Sequence, residues 1–336
     1  VATLKDVAKR SGLSVGTVSR YINGMDIKEK NRLKVEEAIR FFDFHVNQIA
    51  RTLKTNRTHT VGVVIPNLKD IYATTIIKSI EEELYACGYN IFVCDASDSV
   101  QIETEKIEIL QEKMVDGLIL YPVTEDLRHL SSAFSNALSK KTPCVVLDVQ
   151  SHGCDCDHVL VDNADAAKTA TEYLIRRGHR KIAVITGKSG YYTADQRLNG
   201  YQSALREAGI PLQNEYVKAY GFTEKDGYDS FVSLMRADAP PTALLVCNYY
   251  TTIGAMKAAY ELELPIPERV SLIGYDSLGV SQITRPALTL VVQPMEEMGR
   301  AAARLLYRRM SGDDSGFPQT IFLKAGLMEK NSVRTL

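Results

Sequence analysis

The segment TLKDVAKRSGLSVGTVSRYING, from Thr3 to Gly24, decides how this chain is read. Thr3 has the character of a helix N-cap, and Asp6 stands three positions on, where its carboxylate can reach back to the cap. Leu4, Val7 and Ala8 recur at i, i+3 and i+4 and form one apolar face. Ser11-Gly12 breaks that helix, because Gly12 tolerates a positive φ. Ser14 caps a second helix over Val15–Ile22, and Asn23-Gly24 ends it. Two short helices across a tight glycine turn make the helix-turn-helix pattern. The second helix of that pattern enters the DNA major groove with its N-terminal residues at base edges.

On this second helix Val18 and Ile22 face inward, while Val15, Gly16 and Arg20 fall on other faces. Arg20 can donate two hydrogen bonds to guanine O6 and N7, or else meet a phosphate, which positions without specifying. Val15 can touch a thymine methyl, and Gly16 has no side chain to read with. A third helix is expected over residues 31–44, with Leu33, Val35, Ala38, Ile39 and Phe42 as its apolar positions. The short basic run Asn47–Lys54 follows. There Leu53 is suited to wedge into a minor-groove base step; an ordinary flexible linker is the plainer reading.

Charge separates this part from the rest. Residues 1–60 carry 12 Lys/Arg and 6 Asp/Glu, whereas the other 276 carry 28 and 35. A basic module on an acidic body is the footprint of a nucleic-acid binder. At 336 residues the chain is long enough for about two or three domains. Its 45% hydrophobic and 24% charged content is that of a soluble globular protein. No apolar run reaches the roughly 18 residues of a membrane span. The segment VATLKDVAKR lacks the apolar core of a secretory signal, so a cytoplasmic, nucleoid-associated protein with no membrane partner is expected.

Cys87, Cys94, Cys144 and Cys247 lie in or beside apolar segments and read as small buried hydrophobes. Cys154 and Cys156 form a lone C-x-C in a polar loop near His152 and His158. Surface cysteines are the better reading there than a metal site, which needs more ligands at suitable spacing. No metal and no cofactor is expected.

From Thr60 onward, strands alternate with amphipathic helices. The strand segments are 61–66, 89–94, 117–121, 144–147, 182–186, 216–219, 243–247, 270–275 and 289–292. The helical segments are 76–88, 103–114, 167–177, 195–208, 226–236 and 253–261. Two such series predict two α/β lobes with parallel sheets covered on both faces, and a ligand cleft beyond the carboxyl ends of the strands. Polar residues cluster at those ends: Asp148, Asn248, Asp276 and Gln293, with Arg197 opening a helix and Tyr72 and Phe222 as aromatic faces. Carboxylates, an arginine and an amide around rings suit a hydroxyl-rich ligand. Taken singly, each residue can equally cap a helix or satisfy a loop.

Enzyme motifs fail on context. Gly12-Leu13-Ser14-Val15-Gly16 matches the serine-nucleophile elbow, but a helix precedes Ser14 where that motif needs a strand. Gly187-Lys188-Ser189 ends like a phosphate loop, yet Ile182 stands where its first glycine belongs. The chain is therefore not read as an enzyme. A sugar-binding transport protein would share the body but carry a signal peptide and no basic headpiece.

The opening segment resembles the headpiece of the LacI/GalR family of bacterial repressors, and Asn47-x-x-Ala50-Arg51-x-Leu53 resembles that family's hinge helix. Blocks in the body resemble the family too: VGVVIP, VDGLIL, RGHRKIAVITG, RLNGY, PTALLVCN, SLIGYD and RPALTLVVQP. The resemblance implies an all-α helix-turn-helix headpiece (1–45), a hinge helix and linker (46–59), and an α/β two-lobed periplasmic-binding-protein-like body (60–336). Within the body the N-lobe takes about 60–160 and 292–325, and the C-lobe about 161–291 and 326–336. It places Thr3, Leu4, Ser14, Val15, Gly16, Thr17, Ser19, Arg20 and Asn23 at DNA-facing positions, and Asn47, Ala50, Arg51 and Leu53 at hinge contacts. It places Asp148, Arg197, Asn248 and Asp276 at effector contacts, with Tyr72, Phe222 and Gln293 lining the cleft.

Three departures stand out. Phe44-His45-Val46-Asn47 replaces the family's Tyr-x-Pro-Asn. The loop Met25–Asn31 lacks the usual proline-bearing pattern. Tyr249 follows Asn248 where the family has Asp. The function so implied is that of a homodimeric repressor on a near-palindromic double-stranded operator, controlled by a small-molecule effector. A sugar or sugar derivative is the favoured effector; a nucleobase or a phosphoprotein corepressor are the alternatives.

Overall fold

The computed structural model describes residues 2–22, 25–44, 57–130, 142–153, 155–276 and 283–336. The chain divides into two compact units, Val1–Thr58 and His59–Leu336.

Among the described residues the first unit holds three helices: α1 (Leu4–Ser11), α2 (Val15–Ile22) and α3 (Glu29–Phe42). The Asp6 carboxylate accepts from the Thr3 backbone N–H (2.8 Å) and hydroxyl (2.7 Å), which fixes the start of α1. Gly12 ends it at φ 65°, a conformation that costs a glycine little. Val7, Ala8, Val18, Val35 and Ala38 form the core. The third helix starts and ends two residues earlier than the expected 31–44. Leu33 does not join the core and is 55% exposed. The buried face of α3 runs through Val35, Ala38, Ile39 and Phe42, and Leu33 lies about 200° around the helix from Val35.

The second unit is built on two six-stranded sheets. The first has the order β11-β5-β4-β3-β1-β2 and is parallel throughout. Its strands are β1 (Thr60–Ile65), β2 (Asn90–Asp95), β3 (Gly117–Leu120), β4 (Cys144–Leu147), β5 (Asp157–Val161) and β11 (Thr320–Leu323). The second has the order β12-β10-β9-β8-β6-β7 and is parallel except for β12, which runs antiparallel to β10. Its strands are β6 (Ile182–Thr186), β7 (Val217–Ala219), β8 (Ala243–Val246), β9 (Ser271–Tyr275), β10 (Thr289–Val292) and β12 (Gly326–Met328). The central strands are buried from end to end, as expected where helices cover both faces.

Helices α4 (Ile71–Ala86) and α10 (Met295–Met310) close one face of the first sheet, around Ile80, Leu84, Met298 and Leu306. Helix α5 (Val100–Glu112) closes the other through Ile107 and Leu110. In the second sheet, α6 (Asn163–Arg176) and α7 (Tyr192–Glu207) cover one face, and α8 (Glu224–Met235) and α9 (Tyr249–Glu261) the other. The chain passes between the sheets three times: from β5 to α6, from β10 to α10, and from β11 to β12. All three passages fall at the β11–β5 end of one sheet and the β12–β10 end of the other.

Strand β5, helix α10 and strands β11 and β12 go beyond the series read from the sequence. Strand β5 is disguised by its first residues, Asp157 and His158, both buried. Asp157 is tolerated there because the Arg309 guanidinium grips it through two hydrogen bonds (2.7 and 3.1 Å). Two cysteine expectations also change. Cys87 is exposed, because it follows the last turn of α4, past its apolar face. Cys156 is buried rather than on the surface, in the cluster around Leu127 and Val146. Cys154 lies outside the described residues.

Candidate nucleic-acid interface and effector cleft

At the start of α2 the Ser14 hydroxyl accepts from the Thr17 N–H (3.1 Å) and lies 2.9 Å from the Thr17 hydroxyl. Both side chains are thereby engaged in holding the N-terminus of α2. Val18 is fully buried, which turns Val15, Gly16 and Arg20 to the exposed face; Val15 is 42% exposed and Ser19 half-buried. Thr3 is exposed but tied to Asp6, and Leu4 is half-buried against the core. The Tyr21 hydroxyl donates to Glu36 (2.8 Å), and Arg10 stacks over the Phe41 ring (3.2 Å to its centre), so α3 braces both other helices. Asn23, Asn47, Ala50, Arg51 and Leu53 lie outside the described residues.

In the second unit the polar strand-end residues converge from both lobes. Asp148 follows β4 and Asp276 follows β9, each at φ 64° and each buried. The Tyr72 hydroxyl donates to Asp148 (3.1 Å), and Tyr121, just past β3, also bonds that carboxylate. The two tyrosine rings meet edge to face, 6.3 Å apart. Burial first, and then the Asp148 charge, hold both phenols well above their ordinary range, so they remain donors.

Arg197 is buried across the gap. Its Nε donates to Asn163 (2.7 Å), one Nη to the Cys247 carbonyl and the other to Gln293 (3.0 Å). Gln293 passes the polarity on, donating through Nε2 to both Asp276 oxygens (3.2 and 3.1 Å). Arg197 also lies 4.6 Å from the centre of the Tyr275 ring. It does not open its helix, as expected from the sequence; α7 begins five residues earlier, at Tyr192.

Burial pushes both Asp148 and Asp276 up to about 6, and the Arg197 charge opposes it. The guanidinium thus keeps two desolvated carboxylates from rising further. Asn248 is the N-cap of α9, its oxygen accepting from Tyr250 N–H (2.9 Å) and Thr251 N–H (3.2 Å). Phe222, beyond β7, presses on Gly187 so closely that a Cβ there would stand 2.0 Å from the ring. It meets Tyr191 edge to face at 5.8 Å.

Four participants were not singled out in the sequence: Tyr121, Asn163, Tyr275 and Asp70. Tyr121 follows β3 just as Asp148 follows β4, so the strand-end rule that found Asp148 reaches it too. Asn163 follows β5, whose polar start hides the strand. Tyr275 lies within β9 and reads as a core residue. Asp70 caps α4 through the Tyr72 N–H (3.0 Å). Among the described residues no group of three His, Cys, Asp or Glu is placed to hold a metal ion, and no helix is long and apolar enough to cross a membrane.

A helix-turn-helix unit followed by a two-lobed body that buries polar strand-end residues of both lobes defines the class of ligand-responsive DNA-binding regulators. Residues 3–47 match the model for bacterial regulatory proteins of the lacI family, and residues 171–333 match a periplasmic binding protein-like domain. The HTH-type transcriptional repressor PurR of Haemophilus influenzae (strain PittEE) is 33% identical over 343 residues, covering 100% of both chains. The transcriptional regulator CelR, solved with cellobiose, is 28% identical with a TM-score of 0.73, covering 99% of this chain and 100% of that one. The lac repressor dimer, solved on its operator with an anti-inducer, has the same fold at a TM-score of 0.86 and 24% identity, covering 99% of each chain. The chain belongs to the lacI family of bacterial regulatory proteins. It is a DNA-binding transcriptional regulator with an effector-binding body.

Proposed function

We propose that this protein is a homodimeric repressor of a near-palindromic operator, and that a carbohydrate or carbohydrate derivative bound in the interlobe cleft sets its affinity for DNA. The observation that carries the effector reading is the buried set Asp148, Arg197, Gln293 and Asp276, contributed from both lobes. Its two carboxylates accept hydrogen bonds and the arginine donates them, while a sugar hydroxyl does both. The aromatic pair Tyr191–Phe222 offers a surface for an apolar C–H face. The similar regulator CelR was solved with cellobiose, which supports the same class. That aromatic pair equally suits a flat ring, so a nucleobase is the second reading.

On the DNA side, Val15, Gly16 and Arg20 of α2 form the base-reading face, with Arg20 as its strongest donor. The remaining headpiece positions, Thr3, Leu4, Ser14, Thr17, Ser19 and Asn23, hold that face or meet phosphates. The segment Asn47–Leu53 is the proposed hinge contact, through Asn47, Ala50, Arg51 and Leu53. An effector that binds one lobe arrangement more tightly than another shifts the population and with it operator affinity.

The test has two stages. A thermal-shift screen of carbohydrates and nucleobases identifies binders, since a ligand that binds the folded state raises its melting temperature. Operator fragments selected from random DNA are then titrated with and without each binder at fixed salt. Carbohydrate binders that change operator affinity are the expected result. Operator affinity indifferent to every binder overturns the regulatory reading, and nucleobase-only binding overturns the carbohydrate one.

A further inference from the structure

The first turn of α4 has four N–H groups with no partner inside the helix. The Asp70 carboxylate accepts from Tyr72 (3.0 Å) and Ala73, and the Asp70 N–H donates to the Asn67 carbonyl (3.1 Å). The remaining one, on Ile71, is met from the other lobe. It lies 3.4 Å from the hydroxyl of Tyr250, in the first turn of α9. That same hydroxyl donates to the Lys69 carbonyl at 2.8 Å. One phenol of the second lobe thus completes a helix terminus of the first, using its oxygen as donor and acceptor at once. The Tyr250 ring is held edge to face by Tyr249, 5.3 Å away.

Topology gives this contact its leverage. Helix α4 follows β1 and α9 follows β8, whereas the three passages between lobes use β5, β10, β11 and β12. In both sheet orders β1 and β8 stand apart from the crossing strands. A hinge at the crossings therefore moves the Tyr250 contact further than it moves the crossings themselves. Tyr192, at the start of α7, also packs on the first lobe, against the cluster around Leu127 and Val149. That contact is apolar at the ring and polar at the backbone, where the Tyr192 N–H meets the Glu125 carboxylate. The Tyr250 pair is directional and is either made or broken.

We propose that Tyr250 is a latch across the mouth of the interlobe cleft, and that opening the lobes requires its two hydrogen bonds to break. Both partners are backbone atoms, so the latch depends on one side chain. Opening then becomes a step between two discrete arrangements, which is what a two-state regulator needs. The inference stands on the geometry of the body and not on the class of effector. A failed carbohydrate screen leaves it untouched, and its own failure leaves the effector reading untouched.

The experiment is hydrogen–deuterium exchange by mass spectrometry on the full chain, with no ligand added, comparing the parent protein with Tyr250→Phe. Tyr260→Phe, at an 85% exposed position of the same helix, serves as the control. Peptides over 67–74 are expected to exchange about fivefold faster in Tyr250→Phe, the population shift that one net hydrogen bond carries. Tyr260→Phe should leave them unchanged, and the melting temperature of Tyr250→Phe should fall by no more than about 2–4 °C. Small-angle scattering should show a more extended particle for Tyr250→Phe alone. Unchanged exchange over 67–74 overturns the latch. So does a rise spread evenly along the chain, which marks a merely structural role.

Discussion

Asp148 and Asp276 show at the residue scale how this body pays for its cleft. Each takes φ 64° just past a central strand, a left-handed conformation costing a non-glycine residue about 1–2 kcal/mol, though aspartate tolerates it better than most. Each is also desolvated, which raises its carboxyl to about 6. A carboxyl raised in the native state binds protons that the unfolded chain has already released. Its contribution to stability therefore falls as pH climbs from the ordinary 3.8 to about 6, and is level above that. Removing the charge should recover part of the loss. Asp276→Asn is expected to stabilise the ligand-free protein at pH 7.5 by about 1–3 kcal/mol, read as a higher melting temperature, while abolishing effector binding. A lower melting temperature would mean that the bond with Gln293 outweighs desolvation. In the headpiece, Arg20→Ala should relax sequence preference at one base pair of each half-site by about 1–3 kcal/mol. A uniform loss on all sequences would show a phosphate contact instead, which quantitative selection from random DNA distinguishes.

Among the elements, α8 and α9 show how tightly the second lobe is built. Gly227 of α8 faces the Thr251 carbonyl of α9, and Gly254 of α9 faces the Glu224 carbonyl of α8. A Cβ would stand 2.2 and 1.9 Å from those oxygens. The two helices touch backbone to backbone, so neither can yield by turning a side chain. Gly254→Ala is expected to cost at least about 2 kcal/mol in denaturant unfolding, at the upper end of overpacking penalties. Because α9 carries both Asn248 and Tyr250 at its start, the same change should disturb the cleft mouth. Gly326→Ala, with nothing near its missing side chain, is the neutral comparison.

For the whole molecule the two carboxylates act together. Effector binding that uses them as acceptors should weaken as pH drops below about 6, when both take up protons. His179 adds an opposing trend in stability. Buried between Thr242 (2.9 Å) and the Arg334 carbonyl (3.1 Å), it ties the last residues to the second lobe, and burial lowers its basicity. A lowered imidazole contributes stability that is full above its ordinary 6.5 and is lost as pH falls through its native value. His179→Gln should therefore flatten the acid limb of the stability profile, measured by urea unfolding across pH 5–8. An unchanged acid limb would place the proton uptake elsewhere.

How much of this was legible beforehand follows from the range of the forces involved. Local spacing determined the headpiece helices, because the Thr3–Asp6 cap, the Gly12 turn and the Val18–Ile22 face are settled within a few residues. It determined the alternation of strands and helices and the strand-end positions of Asp148, Asn248 and Asp276. Only the tertiary structure decided what partners make of those positions. Strand β5 begins with a charge that Arg309, far along the chain, compensates. Asn248 is engaged in capping α9. Arg197 reaches Asp276 through Gln293 and rests on Asn163, residues brought together by separate passages between the lobes. The Tyr250 contact joins residues about 180 positions apart, and no local pattern marks it. Periodicity reports which face of an element is apolar. It carries no record of which distant backbone groups an element meets, because those contacts are set when the sheets and their helices pack.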